Sequence, residues 1–423
     1  MSSPHLTCFQ PGCGAEQPRA TRDYTCPRCQ GLMELTYDFP REQAPGWPRL
    51  WERRLGPGPG MDGSGVWRFR EMLPLFDELD PVVSLGEGAT PLIEAPGAAL
   101  WAGVRSLFVK HQGANPTGSF KDLGMTVCIT EARRLGVGVV ACASTGNTSS
   151  SMAAYAARAG LRSLVLVPEG AVSGAKLAQA VDFGARIVET GANFDQAFQL
   201  LRRMAPELGL YLVNSVNPFR LEGQKTVVLQ ILEQSRWQPP DYIVLPGGNL
   251  GNVSAVGKAL AELAALGLIA RMPRLIVVQA AGASPFHHLW QSQGDRLLAV
   301  PEPDTRATAI RIGNPANWPK ALRALAQTEG LTEAVTDPQI QAAKAELARG
   351  GIGCEPASAA TLAGVKKLRA AGAIEAGATV VAILTGHQLK DPDYILEQAG
   401  PGGGTLKVES TPAALRLALQ DWL

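Results

Sequence analysis

An excess of charge of either sign is the first thing this 423-residue chain does without. Its 39 Lys and Arg stand against 38 Asp and Glu, a net charge of +1. Nothing therefore marks it for a polyanion, and no nucleic-acid partner is expected. No apolar run approaches a membrane span. The start Met1-Ser2-Ser3-Pro4-His5 lacks the basic and apolar regions of a signal peptide. The expectation is a cytoplasmic protein with no membrane association. No repeat of solenoid length stands out. What remains is a chain that is 46% apolar, which excludes global disorder, with 46 glycines that suit many tight strand–helix turns. Its length allows two or three domains.

Cysteine is scarce except at the N-terminus. Four of the seven, Cys8, Cys13, Cys26 and Cys29, fall in the spacing C-x4-C-x12-C-x2-C, each pair beside Pro and Gly turn residues. Two short-range thiolate pairs satisfy a tetrahedral ion and can hold a piece too small for its own core. Residues 1–39 thus read as a zinc-ribbon-like unit with a structural Zn²⁺. Iron in a rubredoxin-like site with the same ligands is the alternative. With all four positions cysteine, no coordination site is left open for catalysis. Residues 40–65 read as a Pro- and Gly-rich linker in which Trp47, Leu50 and Trp51 could anchor against the main body.

From about residue 80, short apolar runs alternate with helical spacing. Strands are expected at Leu107–Lys110, Val137–Ala143, Ser163–Val167, Arg186–Glu189, Tyr211–Val213, Tyr242–Leu245, Leu275–Gln279 and Val380–Leu384. Helices are expected at Thr148–Arg158, Ala175–Val181, Asn193–Met204, Glu222–Ser235, Val253–Leu266, Asp337–Ala348 and Ala357–Ala370. Almost uniformly apolar strands alternating with helices mean an α/β fold of mostly parallel sheet. Ligands then sit where strand ends meet helix starts. The region Gln291–Thr305 has no clear period and reads as a lid.

The stretch Asn115-Pro116-Thr117-Gly118-Ser119-Phe120-Lys121-Asp122 runs from turn residues straight into helical spacing. Ser119 and Asp122 suggest a capping box. Lys121 then falls in the first helical turn, where the helix dipole disfavours a cation and should lower its pKa. A neutral amine is what a Schiff-base nucleophile needs. Further on, Ser144-Thr145-Gly146-Asn147-Thr148 offers hydroxyls and backbone N–H groups at a helix start, suited to an anion or to simple capping. Gly247-Gly248-Asn249-Leu250-Gly251-Asn252 can curl round a phosphate, and it is neither a Walker A loop nor a dinucleotide fingerprint. Thr385-Gly386-His387 ends the last strand. In Asn214–Thr226, Arg220 could clamp a phosphate or carboxylate, or pair with Glu222.

Seven ordered blocks carry a family resemblance: Gly86–Leu92, Asn115–Asp122, Ala141–Thr148, Asn214–Thr226, Ala307–Pro315, Cys354–Ala360 and Leu384–Pro392. Together, from about residue 67 to about residue 392, they resemble the fold-type II pyridoxal-phosphate enzymes and, within them, the threonine synthase family. The resemblance implies a tryptophan synthase β-like fold with a large subdomain of 66–127 and 215–395, a small one of 128–214, and a C-terminal extension of 396–423. It implies a pyridoxal 5'-phosphate cofactor, O-phospho-L-homoserine as substrate, L-threonine and phosphate as products, and a homodimer. Carried over by position, Lys121 is the Schiff-base lysine and Asn147 holds the cofactor's phenolic oxygen. Gly248, Asn249, Leu250, Gly251 and Asn252 cradle its phosphate, and Thr385 faces its ring nitrogen. Ser144, Thr148, Asn214, Arg220 and an Asn of the 248–252 loop would hold the substrate phosphate, and the Thr145–Thr148 turn its carboxylate. Leu123 stands where many members have Arg, and Gln388 where Gly is usual. The rival readings are a threonine or serine dehydratase, a cysteate synthase, and a catalytically idle binding protein.

Overall fold

Strands that are apolar at every position must be covered on both faces, and Tyr242–Pro246 is buried along its whole length. The structure, a computed structural model, describes residues 3–56, 60–76, 81–169, 174–191, 194–398 and 405–420. The middle of the Gly56–Gly60 run and Asn193 lie outside the described residues. Met1–Lys390 forms one unit and Asp391–Leu423 another. The latter contains the helices Pro392–Gln398 and Pro412–Leu419, the second begun by the Thr411 hydroxyl accepting from the Ala414 N–H.

The first unit contains three sheets. The N-terminal one is antiparallel, with β1 (His5–Cys8) between β2 (Glu16–Pro18) and β3 (Met33–Thr36). The largest uses β4 (Leu92–Glu94), β5 (Ser106–His111), β10 (Tyr242–Pro246), β11 (Arg274–Ala280), β12 (Leu331–Val335) and β13 (Thr379–Leu384) in the order β12-β11-β10-β13-β5-β4. All its pairings are parallel except that of the edge strand β4. The chain between β5 and β10 builds the third sheet from β6 (Val139–Ala143), β7 (Arg162–Pro168), β8 (Arg186–Thr190) and β9 (Tyr211–Leu212), ordered β8-β7-β6-β9 and all parallel.

All eight expected strands are present within two residues at each end. The seven expected helices are present as well, Glu222–Ser235 starting earlier, at Pro218. β12 was not foreseen. Its sequence Leu-Thr-Glu-Ala-Val breaks the apolar pattern because it lies at a sheet edge, where polar residues are tolerated. The period-2 geometry divides β10 between two cores: Ile243 and Leu245 face one, with residues of the Pro218–Gln234 and Gly251–Ala265 helices. Tyr242 and Val244 face the other, with residues of the Pro356–Ala370 helix.

Where β13 lies between β10 and β5, the loops that follow β5, β10 and β13 all leave from carboxyl ends of neighbouring parallel strands. In open α/β sheets that is where a ligand crevice forms. The Lys121–Arg134 helix, which begins at the end of the β5 loop, crosses the Pro218–Gln234 helix at very close range. A Cβ on Gly223 would lie 1.8 Å from the Leu123 carbonyl oxygen, and one on Gly124 would lie 2.5 Å from that of Arg220. Leu123, one of the departures from the family pattern, is buried in this crossing.

The N-terminal unit and the stretch after it are packed against the rest of Met1–Lys390. The Tyr24 hydroxyl donates to that of Tyr211 in β9 at 2.7 Å, and Arg202 donates to the Thr25 hydroxyl at 2.8 Å. On the side of the large sheet, Arg323 forks onto Glu34 at 2.7 and 3.0 Å, and Lys320 donates to the Met33 carbonyl at 2.7 Å. The N-terminal unit therefore touches elements of both larger sheets. The expected linker is partly folded: Trp47–Arg53 is a helix, Trp47 and Trp51 are buried, and Trp51 stacks on Trp237 with ring centroids 5.7 Å apart. Of the expected lid, the later part is tied down, with the Val300 N–H on the Gly313 carbonyl and the Asp304 N–H on that of Gly282, both at 3.0 Å.

The helix crossing leads to a prediction. Gly223→Ala forces the two helices apart and should destabilise the fold by about 1–3 kcal/mol, the usual cost of overpacking. It would show as a lower denaturant midpoint with an unchanged slope. Wild-type stability would mean the crossing has slack.

Candidate active site

Lys121 is placed by two loops laced together. The Phe120 N–H donates to the Thr385 carbonyl and the His387 N–H to the Gly118 carbonyl, both at 2.9 Å, around a bridge between Ser119 and Gly386. A second set of bonds fixes the turn before it. Asn115 accepts from the Gly88 N–H at 2.9 Å and donates to the Gln112 carbonyl at 2.8 Å, which ties the Gly86–Leu92 block to this loop.

The expected capping box does not form. The helix begins at Lys121, and no side chain caps it. Asp122 instead turns back to accept from the Thr117 N–H and hydroxyl and from the Ser151 hydroxyl, while the Ser119 hydroxyl is buried without a partner. The paired donors of Thr117, its N–H and its hydroxyl, have won the carboxylate, and that frees Ser119.

Lys121 keeps some accessible surface, yet protein surrounds it densely. Burial, assisted by the Arg220 guanidinium and opposed by Glu355, brings its pKa down to about 7. The expectation of a lowered pKa holds, with burial first and Arg220 second among its causes. Low pKa alone would not single it out. Burial also depresses Lys110 and Lys320, but their amines are occupied, Lys110 donating to the Thr90 carbonyl and Gln234, Lys320 to the Met33 carbonyl.

Beside Lys121 lies a chain of side chains. Asn147, first residue of the Asn147–Ala159 helix, donates to Glu355 at 2.9 Å. The Thr385 hydroxyl approaches the other Glu355 oxygen at 2.9 Å and the Ser358 hydroxyl at 3.0 Å. Glu355 and Ser358 are buried functional candidates that the motif reading gave no role. The signal was present: an acid sits directly before the helix-starting Pro356 in an otherwise apolar block. The Gln388 amide occupies the space a Cβ on Gly353 would need, 2.0 Å from its Oε1, so this departure from the family pattern packs beside the same block. His387 is half-exposed, and one ring nitrogen accepts from the Leu389 N–H at 3.2 Å.

The loop after β10 has the form of an anion cradle. Gly247 donates to the Val278 carbonyl and Ser254 to the Leu250 carbonyl, and among the described residues the N–H groups of 248–252 between them find no acceptor. Leu250 holds φ at 61°, left-handed backbone that costs a non-glycine residue about 1–2 kcal/mol. The Asn252 side-chain nitrogen is buried and unpartnered. Asn249 is occupied, donating to the Ser215 hydroxyl at 2.7 Å and accepting from the Ala316 N–H at 2.6 Å.

Arg220 is buried and makes no ion pair with Glu222, which pairs instead with Lys225 and Lys258. Among the described residues its guanidinium donates to the Val213 carbonyl at 2.7 Å, and Nε is left without a partner. Asn214 clasps the Ala143 N–H and carbonyl at 3.1 and 3.0 Å, so most of its hydrogen-bonding capacity holds the end of β6. Ser144, Thr145 and Thr148 are half-exposed at the start of the next helix, and Ser144 accepts from the Gly146 N–H at 3.2 Å.

These groups fit a phosphorylated cofactor: a lysine whose pKa is lowered to about 7, a loop of free N–H groups, and buried orphan donors at Asn252 and Ser119. A family profile described as "Pyridoxal-phosphate dependent enzyme" matches residues 83–386. The threonine synthase of Methanocaldococcus jannaschii is 47% identical over 400 residues, 94% of this chain and 95% of the relative. The chain belongs to the threonine synthase family. The threonine synthase of Methanosarcina acetivorans is 44% identical over 93% of this chain and 94% of its own length. That of Synechocystis is 47% identical over 78% and 84%. Among solved structures, a processed threonine deaminase from Solanum lycopersicum superposes with TM-score 0.62 at 20% identity, covering 74% of this chain and 88% of its own. Maize serine racemase superposes with 0.61 at 23% identity, covering 71% and 88%. These last two share the fold, and the family assignment identifies the cofactor as pyridoxal phosphate.

A second site lies in the N-terminal unit. The sulfur atoms of Cys8, Cys13, Cys26 and Cys29 all lie within 4.8 Å of one another. The chain turns tightly at both pairs: Cys8 donates to the Ala15 carbonyl at 2.8 Å, and Cys26 to the Gly31 carbonyl at 2.9 Å. Four converging thiols fit a tetrahedral structural ion such as Zn²⁺.

Two outcomes follow. In the cofactor-free protein the Lys121 amine should titrate near its depressed value of about 7, and Arg220→Gln should move the midpoint upward by removing a neighbouring positive charge. NMR of a ¹³C-methylated lysine reads both, and a midpoint in the ordinary lysine range would refute the environment described. Chelating the metal should increase hydrogen exchange in β1 and β3 first. Unchanged exchange after complete metal loss would mean that the ribbon is held by its packing alone.

Proposed function

We propose that the protein converts O-phospho-L-homoserine and water to L-threonine and phosphate, the last step of threonine biosynthesis. The observation that carries this reading is a buried arginine, Arg220, with no carboxylate partner among the described residues, whose charge adds to burial in depressing the pKa of Lys121. A phosphorylated substrate brings the anion such a cation lacks, whereas the rival dehydratase substrates, free threonine and serine, carry none beyond the α-carboxylate.

Bound pyridoxal phosphate supplies an electron sink for negative charge on the substrate's carbons. Lys121 would hold the cofactor, and its amine, when free, would take the substrate's α-proton. An amine with a pKa of about 7 is matched to that task near neutral pH. A β-proton is also removed as phosphate leaves the γ-carbon. One proton is then delivered to the γ-carbon, water adds its hydroxyl at the β-carbon, and a proton returns to the α-carbon, so that two protons and phosphate leave, and two protons and the hydroxyl of water enter. With one amide hydrogen on Glu355, Asn147 would offer the other to the cofactor's phenolic oxygen, Thr385 would meet the ring nitrogen, and residues 248–252 would hold the cofactor phosphate. For the substrate phosphate we assign Arg220, Ser144, Thr148 and, within the loop, Asn252, whose amide nitrogen is free where that of Asn249 is bound. Asn214 positions the end of β6 and retains one amide hydrogen for the phosphate. The Thr145–Thr148 turn takes the carboxylate.

This reading includes a large subdomain of 66–127 and 215–395, a small one of 128–214, and a cytoplasmic homodimer, which sedimentation would test.

The deciding experiment measures phosphate release and threonine formation from O-phospho-L-homoserine, beside free threonine, serine and phosphoserine. Turnover of the phosphohomoserine is expected to dominate, and a clear preference for another substrate would overturn the proposal. Lys121→Ala should lower kcat by at least about 10²–10⁴-fold. Arg220→Ala should lower kcat/KM by about 10–100-fold, the worth of a charge-assisted bond. Unchanged kcat/KM would refute the role of Arg220.

A further inference from the structure

The motif reading assigns Thr385 to the cofactor's ring nitrogen but leaves open where the hydroxyl proton points. The hydrogen bonds around it decide that. The Ser358 hydroxyl oxygen accepts from the Thr385 N–H at 2.8 Å and the Gly386 N–H at 3.1 Å. Both its lone pairs are taken, so its own proton must be donated. The Thr385 hydroxyl oxygen lies 3.0 Å away and receives it. Thr385 then has one lone pair and one proton to place, with Glu355 on one side at 2.9 Å.

Glu355 has two possible states. As a carboxylate it accepts at both oxygens, from Asn147 at 2.9 Å and from Thr385 at 2.9 Å. The Thr385 proton is then spent on Glu355, and no hydroxyl proton remains for the ring. As a carboxylic acid it still accepts from Asn147 at one oxygen and donates from the other to Thr385. Thr385 now receives two protons, one from Ser358 and one from Glu355, and must direct its own elsewhere. Only this state leaves a donor for an unprotonated ring nitrogen.

We propose that Glu355 is a positioning residue that works as a neutral acid, loading Thr385 so that its hydroxyl proton points at the cofactor ring nitrogen. This rests on the reading above that Thr385 faces that nitrogen. The surroundings favour the neutral form. Glu355 is buried, its backbone N–H is tied to the Gly386 carbonyl at 3.0 Å, and burial raises its pKa above the usual range. The cations that face it are Lys121, on the helix at the β5 loop, and Lys390, after β13. Both oppose the shift, neither forms an ion pair with it among the described residues, and burial depresses both of their own pKa values. A cofactor held at Lys121 would also occupy one of these two amines. The carboxyl lies hard against the Gly386 backbone, where a Cβ would come within 2.4 Å of its carboxyl carbon.

The test compares Glu355→Gln, Glu355→Ala and Thr385→Val in the holoenzyme, with cofactor labelled with ¹⁵N in the ring. Glutamine reproduces the acid's pattern, a carbonyl for Asn147 and an N–H for Thr385. It should therefore keep the wild-type ring-nitrogen resonance and cofactor absorbance. Glu355→Ala and Thr385→Val should each move the resonance toward that of a ring nitrogen without a donor and weaken cofactor binding by up to about tenfold, the worth of one neutral hydrogen bond. The double variant should add little. If Glu355→Gln matches Glu355→Ala, the carboxylate rather than the acid is required and the proposal fails. It also fails if Thr385→Val moves the resonance and Glu355→Ala does not. If Thr385→Val itself leaves the resonance unmoved, it is the placement of Thr385 at the ring that falls. Melting curves of the apo-variants separate any of these from loss of fold.

Discussion

Two backbone hydrogen bonds, from Phe120 to Thr385 and from His387 to Gly118, hold the site together. They join the loop after β5 to the loop after β13, which are neighbours only because β13 returns to lie beside β5. Through them the lysine, the Thr385 hydroxyl and the Glu355 carboxyl come into one small space. The Gly124–Gly223 crossing does the same from behind, letting the Pro218–Gln234 helix approach until the Arg220 guanidinium bears on Lys121. Charge placement here is a consequence of backbone proximity, and at the helix crossing that proximity depends on glycine.

The N-terminal unit obeys a different constraint. Three short strands make a small core, and an ion held by the four thiolates would supply what that core does not. Its outer contacts, Tyr24 to Tyr211 on one side and Glu34 to Arg323 on the other, attach it to elements of both larger sheets. Around its exit, Tyr37 meets Glu222, Lys225 and Glu262, a buried cluster in which two acids offset the lysines. Removing one member of such a cluster leaves an uncompensated charge, so it joins the N-terminal unit to the catalytic body more firmly than a surface ion pair would.

How much of this was legible in the sequence depends on the range of the interaction. Strands such as Tyr242–Pro246 and Thr379–Leu384 announce themselves because burial on both faces demands unbroken apolar residues. β12 and the Trp47–Arg53 helix were not foreseen, the first because a sheet edge accepts polar residues, the second because Pro and Gly around it imitate a linker. At the site, Lys121 was legible from its setting at a helix start, and the two cysteine pairs from spacing. The capping box was misread because Asp122 had a closer partner at Thr117, and no local rule reports that competition. Glu355 was passed over for a related reason. Its partners Asn147 and Thr385 are 208 and 30 residues away, and only the folded chain brings them together.

Lysine pKa values fall at several places in this molecule, at Lys110 and Lys320 as well as Lys121, so chemistry and not acidity must identify the amine that carries the cofactor. Borohydride reduction of the holoenzyme followed by peptide mass mapping does so. The account predicts the mass of reduced pyridoxal phosphate on the peptide containing Lys121 and on no other. The added mass on a Lys110 or Lys320 peptide, or on none, would contradict it.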